Sequence, residues 1–363
     1  MNNKLSGLLF TRPFVPERHK WLRWQKRNRL REFVFAPSLT LRNEDFMKKE
    51  EFYFDSRDGE TRIHAVKWIP DTDPVCILQI VHGMAEYIDR YDRLARVLAA
   101  EGILVTGEDH LGHGLSVSGK NGEQAHPLGY FCHLDPATVV VRDVHRLKKT
   151  VQEQYPGVPY LIMGHSMGSF IVRNYLCRYG TGVDGSIIMG TGMQPYMVVK
   201  TARGLAKVLG SIQGEKHVSK FLDKLAFGGY NKRIDQPKSG MDWLSRDAEE
   251  VQKYLKDPLC GFTFTLNGFY TLFSLIDRLY DEEYLKKMPS DLPVLFVAGD
   301  GDPVGDYGKA VRMVADSFKN LGMKRVECII YPQMRHELVN EIDRETVDGD
   351  ILNWVKKTVA GLR

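Results

Sequence analysis

The stretch Leu161-Ile162-Met163-Gly164-His165-Ser166-Met167-Gly168 brings an apolar run up to a serine with a glycine two positions away on either side. Gly-x-Ser-x-Gly between a strand and a helix is the spacing of a nucleophile elbow. So tight a turn leaves no room for a Cβ at the two glycines. It lifts the serine hydroxyl above a sheet and aims the free N–H groups of a new helix at developing negative charge. Serine needs a base to take its proton, and the base needs an acid to orient it. On such a scaffold the chain order is serine, acid, histidine, each after its own strand. Residues 293–300 (PVLFVAGD) read as a strand followed by Asp302, and residues 326–332 (VECIIYP) as a strand followed by His336. Asp300 and Asp306 compete with Asp302. Asp302 is preferred because it lies beyond the strand end and before the next helix, whereas His336 has no nearby rival.

Acyl transfer also requires N–H donors for a tetrahedral oxyanion. The backbone of Met167 directly follows the nucleophile, and Met84 lies in the loop 81–87 (VHGMAEY) after the first parallel strand. Gly83 permits a close turn there, and His82 and Glu86 are expected to brace the loop rather than react. Asp109, His110 and His113 in 108–114 (EDHLGHG) have His-x-x-His spacing, but two glycines make the segment a loop and no further cluster completes a metal site. A hydrogen-bonded scaffold is expected, with no metal and no organic cofactor. Five cysteines, odd in number and widely spaced, point to small buried hydrophobes in a reducing compartment.

The elements that must carry these residues alternate. Continuous apolar runs at 76–83, 103–110, 160–165, 185–190, 293–300 and 326–332 are separated by helical apolar spacing, such as Tyr91, Leu94, Ala95 and Leu98. Such runs predict an α/β fold, a mostly parallel sheet with helices on both faces. Asp58-Gly59 predicts a hairpin before it. The core is expected to comprise 47–190 and 291–363. Between them, 191–290 breaks the alternation and reads as a helical cap over the sheet's C-terminal edge. Met197, Val198, Ala202, Leu205, Val208, Leu209 and Ile212 fall near one face of its first helix, with Lys200, Arg203 and Lys207 on the polar side.

The chain of 363 residues is 43% hydrophobic and 26% charged, enough for a sizeable core. Its formal charge of +4 is uneven: residues 1–46 hold ten basic and four acidic residues, and the remainder 40 and 42. A nearly neutral body excludes a nucleic-acid surface. The basic extension 1–46, with tryptophans among arginines at 19–35, could touch a membrane surface transiently. Neither a spanning segment nor a signal peptide is evident, so a cytoplasmic protein is expected.

Taken together, His82-Gly83-x-x-Glu86, Asp109-His110-x-Gly112-His113-Gly114, Gly164-His165-Ser166-Met167-Gly168 and the Asp302/His336 pair resemble the monoacylglycerol lipase/lysophospholipase family of α/β-hydrolases. The resemblance covers about 50–360 and implies a cap domain, Ser166 as nucleophile, the two loop amides as oxyanion hole, and hydrolysis of monoacylglycerols or lysophospholipids. Met84 departs from the small residue of the mammalian lipases, and the cap diverges most. Phe262, Phe264, Phe269 and Phe273 could line an acyl channel or pack the cap. An acyltransferase or peptidase would use the same triad, and a silent binding protein would usually lose part of it. The oligomeric state is not legible.

Overall fold

The computed structural model describes residues 47–119 and 126–362. The basic extension, with its tryptophan-rich stretch at 19–35, lies outside the described residues. The chain enters through a hairpin in which β1 (Met47–Asp55) and β2 (Arg62–Pro70) pair antiparallel. Asp58 builds its turn by accepting the N–H groups of Glu60 and Thr61 at 2.8 and 2.9 Å, while Gly59 takes φ +86°. Only glycine enters that left-handed region without steric cost.

The strands that follow are β3 (Cys76–Val81), β4 (Ile103–Glu108), β5 (Tyr160–His165), β6 (Gly185–Met189), β7 (Val294–Gly299) and β8 (Val326–Tyr331). Together they form one sheet in the order β1-β2-β4-β3-β5-β6-β7-β8. Pairing is antiparallel for β1, β2 and the β2–β4 contact, and parallel from β4 to β8. Strands β3 to β7 are buried at every position. That is why they read as unbroken apolar runs rather than alternating ones.

Helices α1 (Asp92–Ala100), α2 (Pro136–Gln154) and α3 (Met167–Tyr179) occur before β6. Between β6 and β7 lie α4 (Tyr196–Gln213), α5 (Lys220–Phe227), α6 (Ala248–Lys256), α7 (Leu266–Asp277) and α8 (Glu282–Leu285). Helix α9 (Lys309–Asn320) follows β7 and α10 (Arg344–Ala360) follows β8. Leu94 and Leu98 of α1 share one apolar layer with Ile351 and Trp354 of α10. Val144, Ile171 and Phe318, from α2, α3 and α9, build the other.

This second layer also takes in Phe264, Leu266, Phe269 and Leu275 from the helical insertion. Helix α7 buries ten of its twelve residues, so the insertion is rooted in the core. Each fully buried phenylalanine there contributes roughly 1.5–3 kcal/mol. Helix α4 departs from the expected apolar face. Its buried stripe is Val199, Ala202, Ala206 and Gly210, and it packs on α7. Met197, Val198, Val208 and Ile212 are instead 55–73% exposed. Small residues win the contact because they let two helix axes approach closely, which the bulkier side chains would prevent.

Candidate active site

The elbow forms as its glycines require. Ser166 connects β5 to α3 at φ 53° and ψ −120°, a conformation that costs a non-glycine residue about 1–3 kcal/mol. Its N–H is held by the Met189 carbonyl at 3.0 Å, and its carbonyl accepts the Ser169 N–H at 2.9 Å. A Cβ on Gly164 would overlap the Gly168 carbonyl, and one on Gly168 would overlap that of Val81. The turn is therefore locked between β3, β5 and the start of α3.

On the loops after β7 and β8, His336 Nδ1 lies 2.9 Å from Asp302 Oδ2, and both residues are buried. Asp302 Oδ1 accepts the Val304 N–H at 2.8 Å, so each carboxylate oxygen has a partner. An ionised carboxylate only accepts, which places the ring proton on Nδ1 and leaves the Nε2 lone pair open. That Nε2 is buried and has no hydrogen-bond partner among the described residues. The ring lies against Gly190, where a Cβ would sit 3.2 Å from His336 Cε1, next to the Met189 that holds Ser166. Asp300 is exposed and accepts the Gln333 N–H at 2.6 Å, and Asp306 is exposed. Of the three acids, Asp302 is the one bonded to His336.

The loop after β3 reaches the same place, since a Cβ on Gly83 would stand 3.1 Å from Ser166 Cβ. Glu86 Oε1 accepts the Gly83 N–H at 2.6 Å. Met84 is half-buried and its N–H makes no hydrogen bond among the described residues; Met167 is buried as the first residue of α3.

Behind these residues runs a chain of buried charges. Arg90 bonds Glu86 at 3.0 Å and Glu337 at 2.6 and 2.7 Å. His165 stands between Glu86 at 3.1 Å, the Tyr91 hydroxyl at 2.9 Å and the His336 carbonyl at 3.2 Å. Burial alone would raise the Glu86 carboxyl, but the hydrogen bond and charge of His165, with Arg90, hold it well below the usual carboxylate range. Burial likewise disfavours a charged His165, yet Glu86 outweighs it and raises the imidazole. The network ties the β3 loop, the elbow and the His336 loop into one unit.

The insertion packs against two of these loops. Trp243 and Leu244 offer carbonyls to the His336 and Glu337 N–H groups at 3.4 and 2.7 Å, and Gly261 donates to the Ala85 carbonyl at 3.0 Å. The Trp243 ring lies 5.1 Å from that of His336, with Tyr230 4.9 Å beyond it. Burial, then the Asp302 charge, push the Tyr230 phenol up. Phe264 and Phe269 are fully buried and Phe273 nearly so. Phe262 is half-buried, its ring 5.3 Å from that of His113. Sequence reading gave no site role to Trp243, Tyr230, Glu337 or Tyr91; the first three carry no spacing signal, and the spacing of Tyr91 points only to helix packing. Arg90, four residues after Glu86 and able to pair with it, had one.

Asp109 is occupied by His64 at 2.9 Å and by the N–H groups of Ile88 and Leu115 at 2.8 and 2.9 Å. Burial lowers the His110 and His113 rings, the latter to about 3. Cys76, Cys132, Cys177, Cys260 and Cys328 are free, and burial raises each thiol.

A family model, Hydrolase_4, described as Serine aminopeptidase, S33, matches residues 72–343. The chain belongs to this family. Hydrolase_4 membership makes it a hydrolase, and its architecture is the α/β-hydrolase fold. A thermostable carboxyl esterase from Bacillus coagulans, solved in complex with glycerol, superposes with a TM-score of 0.79 at 30% identity, covering 86% of this chain and 99% of that one. A monoacylglycerol lipase of Mycolicibacterium smegmatis is 29% identical over 300 residues, 82% of this chain and 94% of the lipase. A monoglyceride lipase homolog of monkeypox virus is 29% identical over 296 residues, 81% and 94% of the two chains. Among the described residues of this Hydrolase_4 protein, no helix is long and apolar enough to cross a membrane.

Proposed function

We propose that the chain is a serine carboxyl-ester hydrolase that works through an acyl-enzyme on monoacylglycerols, lysophospholipids or similar mono-acyl esters. The observation carrying this reading is the buried 2.9 Å Asp302–His336 bond with Nε2 left unpartnered beside the Ser166 elbow. His336 takes the Ser166 proton as the hydroxyl oxygen attacks the ester carbonyl. The Met84 and Met167 N–H groups hold the oxyanion, each such donor being worth about 10²–10³-fold in rate. The tetrahedral intermediate collapses, breaking the C–O bond, and His336 gives its proton to the departing alcohol. Water, deprotonated by His336, then attacks the acyl-enzyme and releases the acid.

The mono-acyl class is supported by the names of the relatives and by an aromatic approach to His336. Trp243, Tyr230 and Phe227 follow one another at 4.9 and 5.5 Å between centroids. Phe262 is the member of the phenylalanine group with the most surface left for an acyl chain; Phe264, Phe269 and Phe273 would shape the channel from behind. Residues 191–290 serve as the cap. The test is a panel of 1-acylglycerols and p-nitrophenyl esters from acetate upward, with Ser166→Ala as control. Chains of eight carbons or more should be preferred, and the alanine variant should lose at least about 10⁴-fold in kcat. Unchanged turnover in Ser166→Ala overturns the mechanism, and a preference for acetate overturns the substrate class.

The family description favours a second reading, a peptidase acting on a free amino terminus. An α-ammonium group would need a free carboxylate, and Glu86 and Glu337 are both taken by Arg90. Aminoacyl p-nitroanilides should therefore be turned over far more slowly than acyl esters.

A further inference from the structure

The histidines of the 108–114 motif take no part in the chemistry above, yet they lie directly behind the oxyanion loop. His82, His110 and His113 are buried, with the His82 and His110 ring centroids 4.0 Å apart. The His110 backbone N–H donates to His82 Nε2 at 3.0 Å. That nitrogen must therefore be the lone-pair side of the ring, and the proton must be on Nδ1. His82 Nδ1 lies 2.8 Å from the Gly83 carbonyl, which accepts it. Burial disfavours a charged His82, so the ring carries this single proton.

Gly83 is thus pinned twice, its N–H by Glu86 at 2.6 Å and its carbonyl by His82. The described residues contain no cis peptide bond. In a trans peptide the Gly83 carbonyl and the Met84 N–H point in opposite directions. Holding the carbonyl toward His82 therefore turns the Met84 N–H away from it, on a loop that abuts Ser166.

We propose that His82 is a positioning residue for the oxyanion hole, locked in the required tautomer by the backbone N–H of His110. The inference rests on the reading of Ser166 as nucleophile and Met84 as donor. Without the His82 bond, the freedom of glycine lets the Gly83–Met84 peptide turn over. A carbonyl oxygen would then stand where the oxyanion forms.

The test uses His82→Phe, which keeps a ring in the stack but has no donor, and His82→Asn, which returns an N–H near the Nδ1 position. His82→Phe should lower kcat on a mono-acyl ester about 100-fold while KM moves less than about threefold. It should weaken a trifluoromethyl ketone, which forms a tetrahedral oxyanion on Ser166, by a similar factor. A non-hydrolysable ether analogue, which forms no oxyanion, should bind within about threefold of its wild-type affinity. His82→Asn should recover at least about a tenth of wild-type kcat. Wild-type kcat in His82→Phe, or equal loss of ketone and ether binding, overturns the proposal. Independently of any variant, ¹⁵N NMR of the wild-type protein should find the His82 proton on Nδ1 at neutral pH; a proton on Nε2 overturns it. Turnover surviving Ser166→Ala defeats the mechanism itself, whereas an inactive Ser166→Ala beside a fully active His82→Phe defeats the His82 role alone.

Discussion

Asp302 and Asp300 are two residues apart and separate cleanly by what each holds. Asp302 is fully buried against His336, whereas Asp300 is exposed and braces the Gln333 N–H. Asp302→Asn should leave the His336 ring with the wrong tautomer and lower kcat by about 10⁴-fold. Asp300→Asn removes one exposed charge and should stay within about tenfold. Steady-state kinetics on a soluble ester checks both; equal losses would show that the acid has been misassigned. The proposed triad of Ser166, Asp302 and His336 could be put forward from the sequence because each must follow a strand in a fixed order, and strands announce themselves in the sequence. The Arg90–Glu337 pair was not, since 247 positions separate its partners and a surface ion pair would read identically. His165 was legible as part of the elbow, but not as the ring that joins Glu86 to the His336 carbonyl.

Elements show the same division. Continuous apolar runs marked the buried strands with nearly their observed bounds, because a strand covered on both faces admits few polar side chains. Strand order was not readable, being set by crossovers that leave no local signal. The face of α4 was misread because volume, rather than hydrophobicity, decides which residues meet α7.

The tie between the entry hairpin and α2 yields a pH prediction. Asp143 Oδ2 accepts the Ser56 hydroxyl and Oδ1 the Arg57 N–H, both at 2.6 Å. Burial pushes its carboxyl from 3.8 up to about 7; the Ser56 and Arg57 bonds oppose this, and nearby Asp58 adds to it. The folded state therefore binds the proton more tightly than the unfolded chain. Its contribution to stability is fully present below about pH 4 and is lost as pH rises through 7. Asp143→Asn lacks this loss and should gain on the wild type by on the order of 2–4 kcal/mol between pH 4 and 8. Thermal unfolding across that range checks it; a constant difference would place the Asp143 carboxyl at an ordinary value.

At the scale of the whole molecule, the insertion is both rooted and exposed. Helix α7 is built into the core, and backbone bonds from Trp243, Leu244 and Gly261 fasten the insertion to two of the loops that build the site. Its outer side carries Met197, Val208, Ile212, Phe221 and Leu225, each more than half exposed, beside exposed Lys207, Lys220 and Lys224. Apolar residues rimmed by lysine suit an anionic lipid interface. Phe221→Ser and Ile212→Ser should each weaken co-sedimentation with anionic phospholipid vesicles by about tenfold. Both should leave hydrolysis of a soluble short-chain ester intact. Undiminished vesicle binding in the double variant would remove this face from any interfacial role.

In the proposed mechanism the hydroxyl of Ser166 becomes covalently acylated. Reaction with a fluorophosphonate, followed by mass spectrometry of the digested protein, reads that atom directly. One adduct is expected, on the peptide carrying Ser166, and none after His336→Ala under the same conditions. An adduct on another residue, or an unlabelled protein that still hydrolyses esters, would contradict it.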